Sequence, residues 1–185
     1  TYAQYLPNPS RIDYLSAMTY THAFVGVVER ALKLQVPPRA EYIRVITSEL
    51  NRISSHLVWF GAFLLDLGGF TPLLYAFDDR EKILDLFEEL CGARLTFSYM
   101  RIGGVAYDLP PGWSDKARAF LDRFEPMLVE YDELITVNKI YVERCAGVAV
   151  ISAADVVLGG GGSLLQCISG NTGQGVSANG SQRLT

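Results

Sequence analysis

The sequence predicts a mainly α-helical protein, a bundle of about four long helices. Three observations carry that expectation. Apolar residues recur at three- and four-residue spacing over long windows, the period of one helical face. Proline and glycine fall between those windows, where helices start and stop. Hydrophobic residues make up 49% of the 185 residues and charged ones 19%, enough apolar material for one substantial core.

Ala17, Tyr20, Phe24, Val27, Val28, Ala31 and Leu32 give a first helix over roughly residues 13–34, with Asp13 placed to cap it. Pro37-Pro38 stops that helix and opens the next, because proline is tolerated in a first turn but not in a helix interior. Ile43, Ile46, Leu50, Ile53, Leu57, Phe60 and Leu64 then step by three and four without a break, a long bundle helix ending at Gly68. Thr71-Pro72 reads as a cap followed by proline at a first helical position. Asp78-Asp79 place negative charge where a further helix through Ile83, Leu86, Phe87 and Leu90 would start, and Gly92 closes it. Residues 93–113 read as loop with a short strand in which Leu95, Phe97 and Tyr99 alternate. A last long helix opens near Ser114 and carries Ala117, Phe120, Phe124, Leu128, Tyr131 and Leu134, with a kink expected at Pro126. Residues 1–158 form the helical core in this reading. Residues 159–185, with 8 of the 17 glycines, read as a disordered Gly-rich tail.

A net charge of -4 and no run of Lys or Arg give no electrostatic drive toward nucleic acid, and no nucleic-acid partner is expected. Cys91, Cys145 and Cys167 lie far apart without a CxxC pair, so no metal site is expected from this chain and a reducing compartment is. The sequence shows no signal-peptide pattern. The apolar stretch from Leu57 to Phe77 is about membrane-spanning in length. Gly68-Gly69 and Thr71-Pro72 break it, and two helices meeting at a turn explain it better.

On the long helix Glu49, Arg52, His56, Trp59, Phe63 and Asp66 also step by three and four, within an arc of about 100° beside the aliphatic seam. Buried charge networks are more often architecture than catalysis. Glu49 and Arg52 therefore read as a structural ion pair with neighbouring helices, and His56 as a satisfied core residue. Asp66 differs: it is the only formally charged residue between His56 and Asp78. Among aliphatic and aromatic neighbours a carboxylate loses hydration on folding and must protonate or find a partner. No base lies near it in sequence, so it either closes an ion pair with a distant group or holds a proton for chemistry. Tyr14 falls in the expected first turn of the first helix, where a phenol can present its hydroxyl to a cavity. It is one of ten tyrosines, most of which must serve packing. Ile102-Gly103-Gly104-Val105 lacks the Lys-Ser/Thr of a phosphate loop and reads as a turn.

Several motifs together resemble one family. They are Arg11-Ile12-Asp13-Tyr14-Leu15-Ser16, Arg39-Ala40-Glu41-Tyr42-Ile43-Arg44-Val45, Ser55-His56-Leu57, Leu65-Asp66-Leu67-Gly68 and Arg101-Ile102-Gly103-Gly104-Val105, continued by Asp108-Leu109-Pro110 and Tyr141-Val142-Glu143-Arg144. The chain is similar to the central part of the D-type subunit of the proton-pumping NADH–quinone oxidoreductase, respiratory complex I, from about Thr1 to Val157. The resemblance implies a helical core like that of the nickel–iron hydrogenase large subunit, without its metal. It implies a place in the peripheral arm, on the cytoplasmic face of the bacterial inner membrane, among iron–sulfur, other peripheral-arm and membrane-arm subunits. There an iron–sulfur cluster held by a partner passes electrons to quinone, and NADH is oxidised elsewhere in the complex.

By the same resemblance Tyr14 matches a tyrosine that hydrogen-bonds the quinone headgroup. Asp66 matches an aspartate paired with a histidine that is the headgroup's other contact and lies on an upstream β-rich segment. Arg11 matches an arginine near the partner's terminal cluster. Thr96 stands where many members carry a histidine near that cluster, and from Gly159 onward the match is expected to fade. Two alternatives remain. A membrane-bound nickel–iron hydrogenase large subunit needs two cysteine pairs for its metals, and this stretch has none. A non-catalytic helical scaffold would dock partner subunits through exposed apolar faces and self-associate in isolation.

Overall fold

Proline and left-handed backbone mark the helix ends throughout the computed structural model, which describes residues 1–148. Those residues fall into two compact units, Thr1–Val129 and the residues from Glu130 onward. The expected Gly-rich tail lies outside the described residues.

Two single-turn helices, α1 (Tyr2–Tyr5) and α2 (Pro9–Ile12), precede α3 (Ala17–Leu32). The first long helix therefore starts at Ala17 rather than near residue 13. Asp13 explains the delay: its Oδ1 accepts from the N–H groups of Leu15 (3.1 Å) and Ser16 (3.3 Å). This is an Asx-type turn that holds the backbone out of helix. Tyr14 accordingly sits in a bend before α3, not in its first turn. At the other end Lys33 takes a φ of +53°, and the N–H of Leu34 returns to the Glu29 carbonyl (3.0 Å).

α4 (Pro38–Asp66) begins on the proline that the sequence marked, whose missing N–H costs nothing in a first turn. It ends where Gly68 turns to a φ of +91° and the Gly69 N–H bonds the Leu64 carbonyl (2.7 Å). α5 (Thr71–Cys91) is one continuous helix with Pro72 in its first turn and Gly92, at φ +72°, beyond its end. Asp78 and Asp79 are thus mid-helix and begin nothing. They hold Lys82 and Arg123 instead.

The alternating strand expected over residues 95–99 is not formed. A short antiparallel hairpin follows instead, β1 (Met100–Arg101) paired with β2 (Gly104–Val105) around an Ile102-Gly103 turn with Gly103 at φ +92°. Phe97, Tyr99 and Met100 are all core residues rather than one face of a strand. The Phe97 ring packs 4.7 Å from that of Phe87, and the Tyr99 hydroxyl donates to the Tyr107 carbonyl (2.7 Å). α6 (Trp113–Ile135) runs through Pro126. The buried Trp113 indole N–H, donating to the Leu86 carbonyl (2.8 Å), ties the start of α6 to α5. α7 (Lys139–Cys145) is capped by Asn138, whose Oδ1 accepts from the Ile140 and Tyr141 N–H groups.

Within the first unit α4 packs against both α3 and α5. Its buried stripe is Ile43, Thr47, Leu50, Ser54, Leu57, Gly61 and Leu64. The sequence phase, which placed Ile46, Ile53 and Phe60 inward, is therefore rotated: Ile46 is exposed and the other two are half-buried. Small side chains face inward because neighbouring helices come close. A Cβ at Gly61 would lie 2.9 Å from Leu73 Cδ1 and 3.2 Å from Leu73 Cα. Among the described residues no helix is long and apolar enough to cross a membrane.

Candidate functional site

The Asp13 turn sets Tyr14 on the surface, with 58% of its area exposed. One buried amide of α4 fixes that bend from both sides. Asn51 Nδ2 donates to the Leu15 carbonyl and Asn51 Oδ1 accepts from the Met18 N–H, each at 3.0 Å. Sequence reasoning missed Asn51; its place on the inward face of α4, one residue past Leu50, was the available signal. Arg11, in the last turn of α2, is exposed and braces its own turn, donating to the Pro7 carbonyl and the Ser10 hydroxyl.

Asp66 is the last residue of α4 and is exposed. The burial expected from its apolar sequence neighbours is not realised, because Asp66 falls on the outer face, away from Leu57, Gly61 and Leu64. Its companions there, Trp59 and Phe63, are themselves exposed and stack with ring centroids 5.5 Å apart. Among the described residues no hydrogen bond or ion pair reaches the Asp66 side chain. It also lies at the negative end of a 29-residue helix whose last turn holds no base. A carboxylate so placed is an acceptor for an incoming cation or donor.

Tyr14 and Asp66 are not brought together by the described residues. The bend carrying Tyr14 is pinned at Asn51, and Asp66 lies about 22 Å further along α4 at about 1.5 Å of rise per residue. Both are nevertheless surface groups rigidly mounted on the same helix, one directly and one through the Asn51 clamp.

The polar stripe between them differs from expectation. Glu49 and Arg52 pair with each other across one turn of α4 rather than with neighbouring helices. His56 is half-buried, and burial followed by the Arg52 charge holds its imidazole pKa below the usual value, which favours the neutral form. Thr96 adopts a left-handed φ of +48°.

Sequence reasoning also missed the buried charge centre of this unit. Arg44 is 1% exposed and forks onto Glu29 of α3 at 2.6 and 2.9 Å. The same guanidinium donates to the carbonyls of Arg101 (2.8 Å) and Gly104 (2.9 Å) and to Glu41 (3.0 Å). Glu29 in turn accepts from the Gly103 N–H (2.7 Å), and the Arg44 bond holds its pKa below the ordinary carboxylate range. Every donor and acceptor facing this centre is matched, the signature of architecture. Beside it a cleft of about 480 Å³ is lined by His22, Arg30, Lys33 and Glu41 among others. His22 shares a 3.2 Å contact with the Ser48 hydroxyl, and burial, then Arg44, lowers its pKa. No group of three or more metal-ligating side chains gathers among the described residues.

Known proteins share long stretches of this chain. A family profile, the respiratory-chain NADH dehydrogenase 49 kDa subunit, matches residues 66–167. The match begins at Asp66 and runs past Val157 and Gly159, where the resemblance was expected to fade. A D-type NADH-quinone oxidoreductase subunit of Opitutus terrae is 64% identical over 153 residues, covering 83% of this chain and 38% of its own length. Its counterpart in Desulfotalea psychrophila is 56% identical over 152 residues, 82% of this chain and 41% of that protein. A further one in Sorangium cellulosum is 50% identical over 155 residues, 84% and 40% respectively. The chain thus spans about two-fifths of the length of the curated relatives it matches.

Proposed function

We propose a role that proceeds from one fact: the chain belongs to the respiratory-chain NADH dehydrogenase 49 kDa subunit family. In that role it is part of the quinone-reducing subunit of a proton-pumping NADH–quinone oxidoreductase. It works on the peripheral side of the membrane, at the cytoplasmic face in a bacterium. Electrons from NADH, oxidised elsewhere in the assembly, reach the quinone through an iron–sulfur cluster held by a partner subunit. Quinone takes up two electrons and two protons to become quinol.

Tyr14 donates a hydrogen bond to one quinone carbonyl and stabilises the negative charge that develops there on reduction. Asp66 holds and charge-balances an imidazole that serves the other carbonyl. Its position at the uncompensated end of α4, without a partner among the described residues, is the observation that carries this reading. When the imidazole gives up its proton the Asp66 charge is left unbalanced. That change biases a conformational equilibrium and triggers coupled proton movement. Arg11 lies near the partner's cluster. The hydrogenase alternative loses ground to the relatives above, each a quinone oxidoreductase subunit by name.

The test is Tyr14→Phe and Asp66→Asn in the complete, assembled oxidoreductase. Each should lower the quinone reductase rate roughly tenfold or more, the scale of one lost charge-stabilising hydrogen bond, while NADH oxidation by an artificial acceptor is retained. Unaltered quinone rates in both variants would remove these two residues from the site.

A further inference from the structure

Tyr14 is held by nothing at its own tip. Its side chain is exposed, and among the described residues no hydrogen bond reaches its hydroxyl. Where the phenol stands is therefore set by the backbone bend that carries it. That bend leads into α3, whose first N–H groups have no partner within the helix and need one from outside. Ser16, at the N-cap position, makes no side-chain cap bond to them. Asn51 of α4 supplies one instead: its Oδ1 accepts from the Met18 N–H, as an N-cap side chain would.

The other end of the same amide reaches back toward Tyr14. Asn51 Nδ2 donates to the carbonyl of Leu15, the next residue along. One planar group thus ties Leu15 and Met18 to a single point on α4. It is 1% exposed, so water does not compete for either bond. Asp13 shapes the bend from within, through the Leu15 and Ser16 N–H groups, and Asn51 fastens it to the long helix. Burying an amide costs desolvation that an apolar side chain of similar volume avoids. What the amide returns here is a fixed backbone direction next to Tyr14.

We propose that Asn51 is a positioning residue for quinone reduction: it holds the bend so that the Tyr14 hydroxyl meets the quinone carbonyl in one fixed place. The inference rests on the reading of Tyr14 as the donor to that carbonyl.

The test is a double-variant cycle in the complete oxidoreductase, with quinone reductase rates expressed per assembled complex. Asn51→Leu keeps the volume and removes both bonds. Asn51→Ser leaves space in which a hydroxyl and a water can reach the same backbone groups. Asn51→Leu should lower the rate at least about threefold, and no further than Tyr14→Phe does. Asn51→Ser should fall between Asn51→Leu and the parent. Added to Tyr14→Phe, either should cost less than about a further twofold, since the contact it positions is already gone. Hydrogen exchange should quicken in the segment around Met18 and not along α4.

A parental rate in Asn51→Leu overturns the proposal and leaves Tyr14 at the quinone. So does an Asn51 effect as large in the Tyr14→Phe background as in the parent, or faster exchange along α4; either makes the residue a support of the fold. If Asn51→Leu does not assemble, Asn51→Ser carries the same cycle and the same criteria. A parental rate in Tyr14→Phe overturns the positioning role and the reading of Tyr14 together.

Discussion

Thr96 occupies the left-handed region at φ +48°, a conformation that costs a residue with a Cβ about 1–2 kcal/mol and suits a β-branched one least. Its neighbours hold it there. Phe97 is buried against Phe87, and Arg94 is tied to Glu81, Asp85 and Glu88. The sequence alone shows only a threonine at this position. The backbone adds that histidine is among the residues that tolerate this region better. Thr96→Gly should therefore raise stability by about 1 kcal/mol, a melting shift of roughly 2–4 °C for a chain of this size, and Thr96→His should be neutral or stabilising. A lower melting temperature for Thr96→Gly would mean that the hydroxyl makes a contact worth more than the strain. Asp66 teaches the complementary lesson. Its apolar neighbours were legible in the sequence, but burial depends on which face of α4 a residue takes. Linear context does not carry that phase.

At the scale of elements, helix starts and stops were the legible part. Pro38, Gly68 and Gly92 stand where α4 and α5 begin or end, because proline and left-handed glycine act locally. The phase of α4 was not legible. Its inward stripe mixes Thr47, Ser54 and Gly61 with aliphatics so that α3 and α5 can approach, while Ile46, Ile53 and Phe60 are left toward the outside. The join between α3, α4 and the hairpin was equally hidden, since Glu29, Arg44 and Gly103 are remote in sequence. Arg44→Met would leave Glu29 buried and charged with only the Gly103 N–H to hold it, and should cost about 3–5 kcal/mol. Glu29→Gln should cost less, because Arg44 keeps Glu41 and two carbonyls. The double variant Glu29→Gln/Arg44→Met should be destabilised by less than the sum of the singles, measured by urea unfolding. Strict additivity would show that the pair is not coupled.

For the molecule as a whole, the outer face of α4 is the feature that a lone chain handles worst. Tyr42 is 72% exposed and Val45 51%, with Ile46, Trp59 and Phe63 also open to solvent and the Glu49–Arg52 pair and half-buried His56 between the two groups. A row of that kind on one helix exceeds the scattered apolar residues that monomers carry without consequence. Water-exposed apolar area is worth about 25 cal/mol per Å² when covered, so two copies laying these stripes together would gain substantially before the entropy of association is counted. In the proposed role as one subunit among many, a partner subunit would cover this face, and such a chain has no reason to avoid the stripe. In isolation the 20.4 kDa chain should therefore self-associate, with a light-scattering mass that exceeds 20.4 kDa and rises with concentration. Tyr42→Glu together with Val45→Lys should shift it toward monomer without lowering its helical content, since both side chains lie outside the core. A parent chain that stays monodisperse at 20.4 kDa across that range would mean the stripe is screened by its own polypeptide, and it would then give no argument for a docking face.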